Sequence, residues 1–516
     1  MDDLFRILDR PPLSLILASQ SPSRRRLLLN AGIRPTISLS HVDEGEALAR
    51  AAASAGIGLA DMPAAMRVEI LSQAKARAVA RTYSDIAQAL REAEDGADGL
   101  MEFYRPQFGG SGSASSAVSK TSGISGTSEA PAISAVSQPK AQSLHDFLQA
   151  DPGYAGLHRL YGAGPLVLGA DSLFALNGHV FGKPHSPEVA RERLRLMRGQ
   201  TGVLWTGHCL IDPFSGREER AVSQARVHFA DYTDADIEAY IASGEPLEVA
   251  GCFTLEGLGS AFIDSVSGDP SGVMGLSLPL LRKMLGRFGL PWPALWNMAK
   301  SRGRLELATD SLSDSNSDSA SSSAAATSQA PAFRDYLSGK DRRAAVNVPD
   351  GNINQPGDGW IDCPCGHRHW GLNGAAGLLL VRRDPATGSP THVVLQHRAA
   401  WSVEGGTWGV PGGALSDGEN PLEGALRESG EEAGISAGDL AIRAAYREDH
   451  GPWAYTTVIA FEKPGRQVHP YASDDESTEV AWIPLERIPD LRLLSAFAQD
   501  WPHFLATINR LAPAES

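Results

Sequence analysis

Cysteine is scarce: Cys209, Cys252, Cys363 and Cys365 are the four in a chain of 516 residues. Four thiols in so long a chain cannot make a disulfide framework, which fits a reducing compartment and makes the cytoplasm the expected location. Long apolar runs are lacking near the start as well. The stretch Leu13 to Ala18 is too short to span a bilayer and is preceded by Asp2 and Asp3 rather than by basic residues, so we read neither a membrane anchor nor a signal peptide. Positive charge is also short. A formal net charge of −15 opposes general nucleic-acid binding, which needs a basic stripe to neutralise phosphates; small anionic substrates stay open wherever basic residues cluster locally. No repeat of fixed period is found, which excludes a solenoid or propeller.

What remains is ordinary globular material, 42% hydrophobic and 21% charged. At roughly 150 residues per domain the length allows about three domains, or two with long connectors. Two Ser-rich segments decide between these. Residues 109–138 are dominated by Ser, Gly and Ala, and 311–332 combine Ser with Asp. Neither has large apolar side chains to offset ordering entropy, so both are expected to be disordered. The first reads as an insertion, about 105–142, in a surface loop of one domain, which loop-closure entropy tolerates. The second reads as a linker, 305–345, between two domains at 12–290 and 360–512.

In the first domain LSLILA has the density of a buried strand and runs into SQSPSRRRLLLNAGI, a hydroxyl-rich turn and a helix ending at Gly32. Backbone N–H groups at the helix start, the hydroxyls of Ser19 and Ser21 and the guanidinium of Arg24 suit an anion site. The same spacing also fits a plain cap at Ser21 with Pro22 at the first helical position and the arginines as a solvated face. Farther on, Pro165 to Ala170 reads as a buried strand that delivers Asp171 at its end, where open α/β sheets build sites. Lys183 lies in the turn GKP; the glycine spacing of a Walker loop is absent.

In that order ILASQSPSRRRLL, HVDEGE, AKARAVA, GADS, FGKP and GEPLEVAGCFTLEGLGSAFIDSVSGDPSGVMGLSLPLL resemble the successive motifs of the Maf family. The resemblance covers roughly residues 12 to 290 and implies a two-lobed α/β domain. It implies hydrolysis of nucleoside triphosphates to monophosphate and pyrophosphate with a divalent metal, with thymidine, uridine or modified nucleotides as substrates. Ser21, Arg24, Lys75 and Lys183 would clamp phosphates beside Ser19, with Glu44 and Asp171 holding metal or activating water. Val249 stands where many relatives have lysine, Glu256 where many have glutamine and Pro270 where an aromatic is usual. Glu256 then reads either as a third acidic group facing substrate or as a turn cap.

In the second domain GAAGLLLVRR and THVVLQHR read as strands around a Pro/Gly/Asp turn. A helix follows, with Asn420 as cap, Pro421 at its first position, Glu423 completing a capping box and Gly434 ending it. Glu428, Glu431 and Glu432, three and four residues apart, share one face. Carboxylates that close repel, and a bound cation is the natural compensation. Gly413, Glu419, Arg427, Glu428, Glu431, Glu432, Gly434 and Ile435 have the spacing of the Nudix box, which the segment resembles at all defined positions but Ser429, usually apolar. The resemblance spans about 370 to 510 and implies an α/β/α sandwich. It implies Mg²⁺ or Mn²⁺ held by Glu428, Glu431, Glu432 and the Gly413 carbonyl, with Arg427 and Glu419 orienting the ligands and Glu432 catalytic.

Just upstream, CPCGHRH sets Cys363, Cys365, His367 and His369 at alternating positions. Their spacing departs from the usual zinc fingers, so the segment reads as a loop or edge strand with zinc as the alternative. The expected function is a bifunctional hydrolase acting on nucleotides. The alternative, a module that has lost catalysis and senses nucleotides or binds a partner, falls on the first domain because of Val249 and Glu256.

Overall fold

The computed structural model describes residues 7–96, 98–106, 140–298 and 355–511. The Ser-rich stretches 109–138 and 311–332 and the linker 305–345 lie outside the described residues.

The N-terminal half begins with β1 (Leu15–Leu17), wholly buried, and α1 (Pro22–Asn30). Ser21 caps α1 by accepting the Arg24 N–H, as SQSPS dictates. Then come β2 (Thr36–Ile37), α2 (Glu44–Ala55), the 32-residue α3 (Ala64–Asp95), β3 (Leu100–Tyr104), β4 (Lys140–Ser143), α4 (Leu144–Ala150) and α5 (Gly153–Tyr161). The half closes with β5 (Leu166–Leu176), β6 (His179–Phe181), α6 (Pro187–Met197), β7 (Thr201–Ile211), β8 (Glu218–Phe229), α7 (Asp234–Ala242), β9 (Ile263–Gly268) and α8 (Leu278–Arg287).

A seven-stranded sheet runs β2-β1-β5-β7-β8-β9 with β6 beside β5. β1 is parallel to β2 and β5, and β5, β7, β8 and β9 are antiparallel to one another in turn. Two apolar clusters give it two lobes: one gathers Leu15, Leu17, Leu28 and Leu281, the other Phe174, Leu194, Phe229 and Ile241. Asp171 lies within β5 rather than at a strand end, because β5 continues to Leu176 against β7. Its parallel neighbour does stop short: β1 pairs β5 only through Leu168, which leaves Asp171 open on that side.

The C-terminal half comprises β10 (Trp360–Asp362), β11 (Arg368–Trp370), β12 (Ala375–Arg383), β13 (Pro390–Arg398), β14 (Trp408–Gly409), β15 (Gly412–Ala414), α9 (Pro421–Ala433), β16 (Leu440–Asp449), β17 (Ala454–Glu462), β18 (Ser477–Pro484) and α10 (Ser495–Leu511). Its nine-stranded sheet runs β14-β13-β12-β17-β16-β3-β4, with β15 on β12 and β18 on β13. One face packs Leu422 and Leu426 of α9, and the other packs Phe497, Phe504 and Ile508 of α10, which makes the α/β/α sandwich.

Two strands of that sheet come from the N-terminal half. β3 lies parallel to β16, and β4 pairs antiparallel with β3. Lys140 to Gln142, expected inside the insertion, are therefore strand residues. The sequence hides this because a four-residue polar strand acquires its partner only in the fold. Ile86, Ala89, Leu90 and Ala93 of α3 share one core with Leu422 and Leu426 of α9. Polar contacts extend the junction: Tyr154 donates its N–H to Glu423 Oε1 at 3.0 Å, and Ser14 Oγ donates to the Asp417 carbonyl at 2.7 Å. The two halves meet through this packed interface in addition to being joined by the chain segment between them.

Candidate active sites

The first site forms where α1, α2, α3 and β5 converge. α3 crosses β5 and β7 closely because Gly169 and Gly207 have no side chain there: a Cβ on Gly169 would lie 2.2 Å from the Ser72 carbonyl oxygen, and one on Gly207 2.1 Å from that of Val68. This crossing brings Lys75 to Asp171. Lys75 Nζ lies 2.7 Å from Asp171 Oδ1 and 2.7 Å from Glu44 Oε1. Burial raises the Asp171 pKa against the pull of Lys75 and Arg24.

Arg24 is buried, so it is not part of a solvated face. Its Nε donates to the Gly275 carbonyl at 2.8 Å, Nη1 to Ser19 Oγ at 2.9 Å and Nη2 to Ser172 Oγ at 3.3 Å. Burial lowers its pKa while Asp171 and Glu44 oppose the shift. Ser21 does act as the cap, so its hydroxyl serves the α1 backbone, and Ser19 holds the arginine.

Sequence reasoning missed the layer beneath. Ser172 Oγ is 3.0 Å from Thr206 Oγ1, which donates to the Gly272 carbonyl at 2.9 Å. His208 Nε2 accepts the Ser277 N–H at 2.9 Å while its Nδ1 lies 3.1 Å from the Thr206 carbonyl. Burial, with Arg24 close by, lowers the His208 pKa to about 4, so the ring is neutral. Thr206 and His208 lie on β7, where no local motif marks them, and Ser172 sits beside Asp171 in GADS on β5.

Lys183 follows β6 and lies 3.5 Å from Glu248, with its side chain half exposed. No ion pair among the described residues joins it to the Lys75 cluster. Glu256 is partly buried in the loop after Cys252, and its side chain makes no hydrogen bond or ion pair with a described residue.

The second site rests on α9. Asn420 Oδ1 accepts the N–H groups of Leu422 and Glu423, the Glu423 carboxylate accepts that of Asn420, and Gly434 ends the helix at φ 64°. Arg427 is 1% exposed. Its Nε lies 2.6 Å from Glu419, Nη2 donates to the Ala414 carbonyl at 2.9 Å, and Nη1 is 2.9 Å from both Glu428 and Glu431. Glu432 Oε2 accepts the Gly412 N–H at 2.8 Å.

Gly413 lies directly over the acids, since a Cβ there would come within 2.7 Å of the Glu428 carboxylate. Glu431 Oε1 is buried without a hydrogen-bond partner. Burial, with Glu428 and Glu419 nearby, pushes Glu431 up to about 7 despite Arg427, and raises Glu432 well above the usual carboxylate range. Glu476, which sequence reasoning missed, joins this cluster; burial, Asp474 and Glu428 push it up to about 7. It sits in the acidic run SDDES just before β18, a composition signal without a helical period. Ser429, at the usually apolar position, is fully buried and donates its hydroxyl to the Leu426 carbonyl at 3.0 Å.

The chain thus folds as two modules, a two-lobed α/β domain with a lysine between two acids and a sandwich with an acidic helix under a glycine turn. Residues 14–288 match the Maf-like protein family and residues 371–504 the NUDIX domain. A nucleoside triphosphate pyrophosphatase/Nudix hydrolase fusion protein of Bifidobacterium longum is 48% identical over 515 residues, 97% of this chain and 99% of the relative. A nucleoside triphosphate pyrophosphatase of Nocardia farcinica is 35% identical over 286 residues, covering 55% of this chain and 96% of that one. A crystal structure of a Nudix hydrolase from M. smegmatis is 37% identical, with 31% of this chain and all of that one covered, at a TM-score of 0.28. The chain belongs to the Maf family in its form fused to a Nudix domain, which makes it a two-module hydrolase. Among the described residues no helix is long and apolar enough to cross a membrane.

Proposed function

We propose that the N-terminal site hydrolyses nucleoside triphosphates, dTTP, UTP or modified forms, to monophosphate and pyrophosphate. The C-terminal site hydrolyses a nucleoside diphosphate-linked substrate. The observation that carries this reading is a cluster of carboxylates and cations in each half: Asp171 and Glu44 on the Lys75 ammonium with buried Arg24 close by, and Glu419, Glu428 and Glu431 on buried Arg427.

In the N-terminal site Arg24 and Lys75, beside the helix start at Ser19 and Ser21, bind the triphosphate oxygens, and Lys183 reaches them from the β6 turn. Asp171 and Glu44 orient the attacking water and take its proton. The water adds at the α-phosphorus and pyrophosphate leaves, so that water and triphosphate give monophosphate and pyrophosphate. Glu256 faces the substrate from the second lobe.

In the C-terminal site Glu428, Glu431, Glu432 and the Gly413 carbonyl would hold Mg²⁺ or Mn²⁺. The unpartnered Glu431 Oε1 and the bare glycine over Glu428 fit a hard cation that takes oxygen ligands. Such a cation, when bound, neutralises phosphate charge and acidifies water. Arg427 and Glu419 fix the carboxylates, and Glu432 takes the proton of the attacking water.

A panel of nucleoside triphosphates, nucleotide sugars and dinucleotides, assayed with the full-length protein with and without EDTA and Mg²⁺, tests the reading. The expected result is monophosphate plus pyrophosphate from a triphosphate, lost with EDTA and restored by Mg²⁺. Orthophosphate as the sole product, or turnover indifferent to EDTA, would contradict it.

A further inference from the structure

The CPCGHRH segment forms a hairpin: β10 pairs antiparallel with β11, Trp360 opposite Trp370 and Ile361 opposite His369. Gly366, at φ 87°, makes the turn, and the Cys363 N–H donates to the His367 carbonyl at 3.1 Å. His367 thus serves the turn with its backbone and leaves its side chain exposed, whereas Cys363, Cys365 and His369 are half-buried. A residue 81 positions beyond His369 meets them: His450, in the turn between β16 and β17.

We propose that Cys363, Cys365, His369 and His450 form a structural zinc site that pins the β10–β11 hairpin to the central sheet. The ligand atoms of these four residues all lie within 4.8 Å of one another. Cys365 Sγ is 3.0 Å from His369 Nε2, and Cys363 Sγ is 3.5 Å from His450 Nδ1. Tetrahedral zinc, with bonds of about 2.3 Å to sulfur and about 2.0 Å to nitrogen, needs neighbouring ligand atoms about 3.3–3.8 Å apart, so a small adjustment closes the site.

The surroundings already orient the ligands. His450 Nε2 is 2.9 Å from Glu448 Oε1, so its proton belongs on that nitrogen and the Nδ1 lone pair faces the cysteines. The His369 ring stacks on Trp453, with centroids 4.0 Å apart and planes 10° apart, and the Trp453 indole N–H donates to the Trp370 carbonyl at 3.0 Å. All four cysteines of the chain are free thiols. Two thiolates and two imidazoles are a soft, closed donor set, which selects zinc over the hard cations suited to the carboxylate helix. The hairpin also needs a staple: a two-stranded sheet is marginal alone, and a metal that bridges it to a folded sheet contributes its binding energy to folding.

Cobalt tests this, because thiolate-to-cobalt charge transfer in the near ultraviolet reports Cys ligation and is silent for the carboxylate sites. Full-length protein stripped of metal and titrated with Co²⁺ should show that band with tetrahedral visible bands, saturating at one equivalent and bleached by Zn²⁺. Cys363→Ser and His450→Ala should each abolish or strongly weaken the band, and His367→Ala should keep it. For the wild type, a mercurial thiol reagent should release one zinc per chain from protein purified without chelator, a readout independent of whether the variants fold. Absence of zinc and of the cobalt band, a Cys363–Cys365 disulfide in freshly purified protein, or a band dependent on His367 and not on His450 would overturn the proposal.

Discussion

Arg427 and Glu431 carry opposite liabilities within one cluster. Arg427 is buried and satisfies three carboxylates and one carbonyl, so Arg427→Met would leave Glu419, Glu428 and Glu431 facing one another without a counter-charge. Breaking a buried ion pair from one side costs about 3–5 kcal/mol, and denaturant unfolding of the variant should show a loss of that order. An unchanged midpoint would mean that the acids find another partner. Glu431 works the other way. Its pKa of about 7 lies above the ordinary 4.5, so between those values the folded state holds the proton more tightly than the unfolded one. Without a divalent metal, Glu431 therefore contributes stability at low pH that is lost as pH rises from about 4.5 to about 7. The wild type should lose melting temperature relative to Glu431→Gln across that window, and Mg²⁺ should offset the loss by binding the ionised form. A wild type that gains on the variant as pH rises, in the absence of metal, would contradict this reading. At this scale the sequence was legible where residues share a helix: the box spacing placed Glu428, Glu431, Glu432 and Arg427 together. It was illegible for Glu476, His208 and His450, which reach their clusters from other strands and turns.

Helix α3 is the element on which both halves depend. Its first turns lie against Gly169 and Gly207, Lys75 projects to Asp171, and its last turns lie in the core beneath α9. Gly169→Ala would place a methyl group 2.2 Å from the Ser72 carbonyl, against backbone that cannot move aside locally. Overpacking of this kind costs about 1–3 kcal/mol, and the displaced helix should carry Lys75 away from Asp171. The variant is expected to melt lower and to lose most triphosphate hydrolysis; wild-type turnover with a normal melting temperature would show that the close crossing is dispensable. The capping residues of α9 could be read from sequence because caps are local chemistry. The destination of α3 could not, since its second buried stripe is shared with a sheet formed mostly more than 270 residues later. β3 and β4 escaped notice for the same reason: they are short, flank the Ser-rich stretch and become strands only beside β16.

For the molecule as a whole, the family resemblance fixed two hydrolase modules in order, but the interface between them had to be seen. Tyr154 lies on Tyr83 at 6.0 Å, donates its N–H to Glu423 and points its hydroxyl at Glu419, so an N-terminal residue touches the scaffold of the C-terminal site. A fragment of residues 355–516 would lack α3, β3 and β4 and expose the apolar surface they cover. It should melt below the full-length protein's C-terminal transition, as followed by Trp fluorescence; an equal melting temperature would make the shared core incidental. The two chemistries should nonetheless separate, because Asp171 and Glu432 answer to different carboxylate clusters. The most direct measurement compares Asp171→Asn and Glu432→Gln in the full-length protein, assayed in parallel for triphosphate pyrophosphohydrolysis and for hydrolysis of a diphosphate-linked nucleotide. Each amide keeps shape and removes one charge, so Asp171→Asn should abolish the first activity and spare the second, and Glu432→Gln should do the reverse. If either variant retained wild-type turnover in its own reaction, or if one substitution abolished both, two separate hydrolytic centres on one chain would be the wrong description.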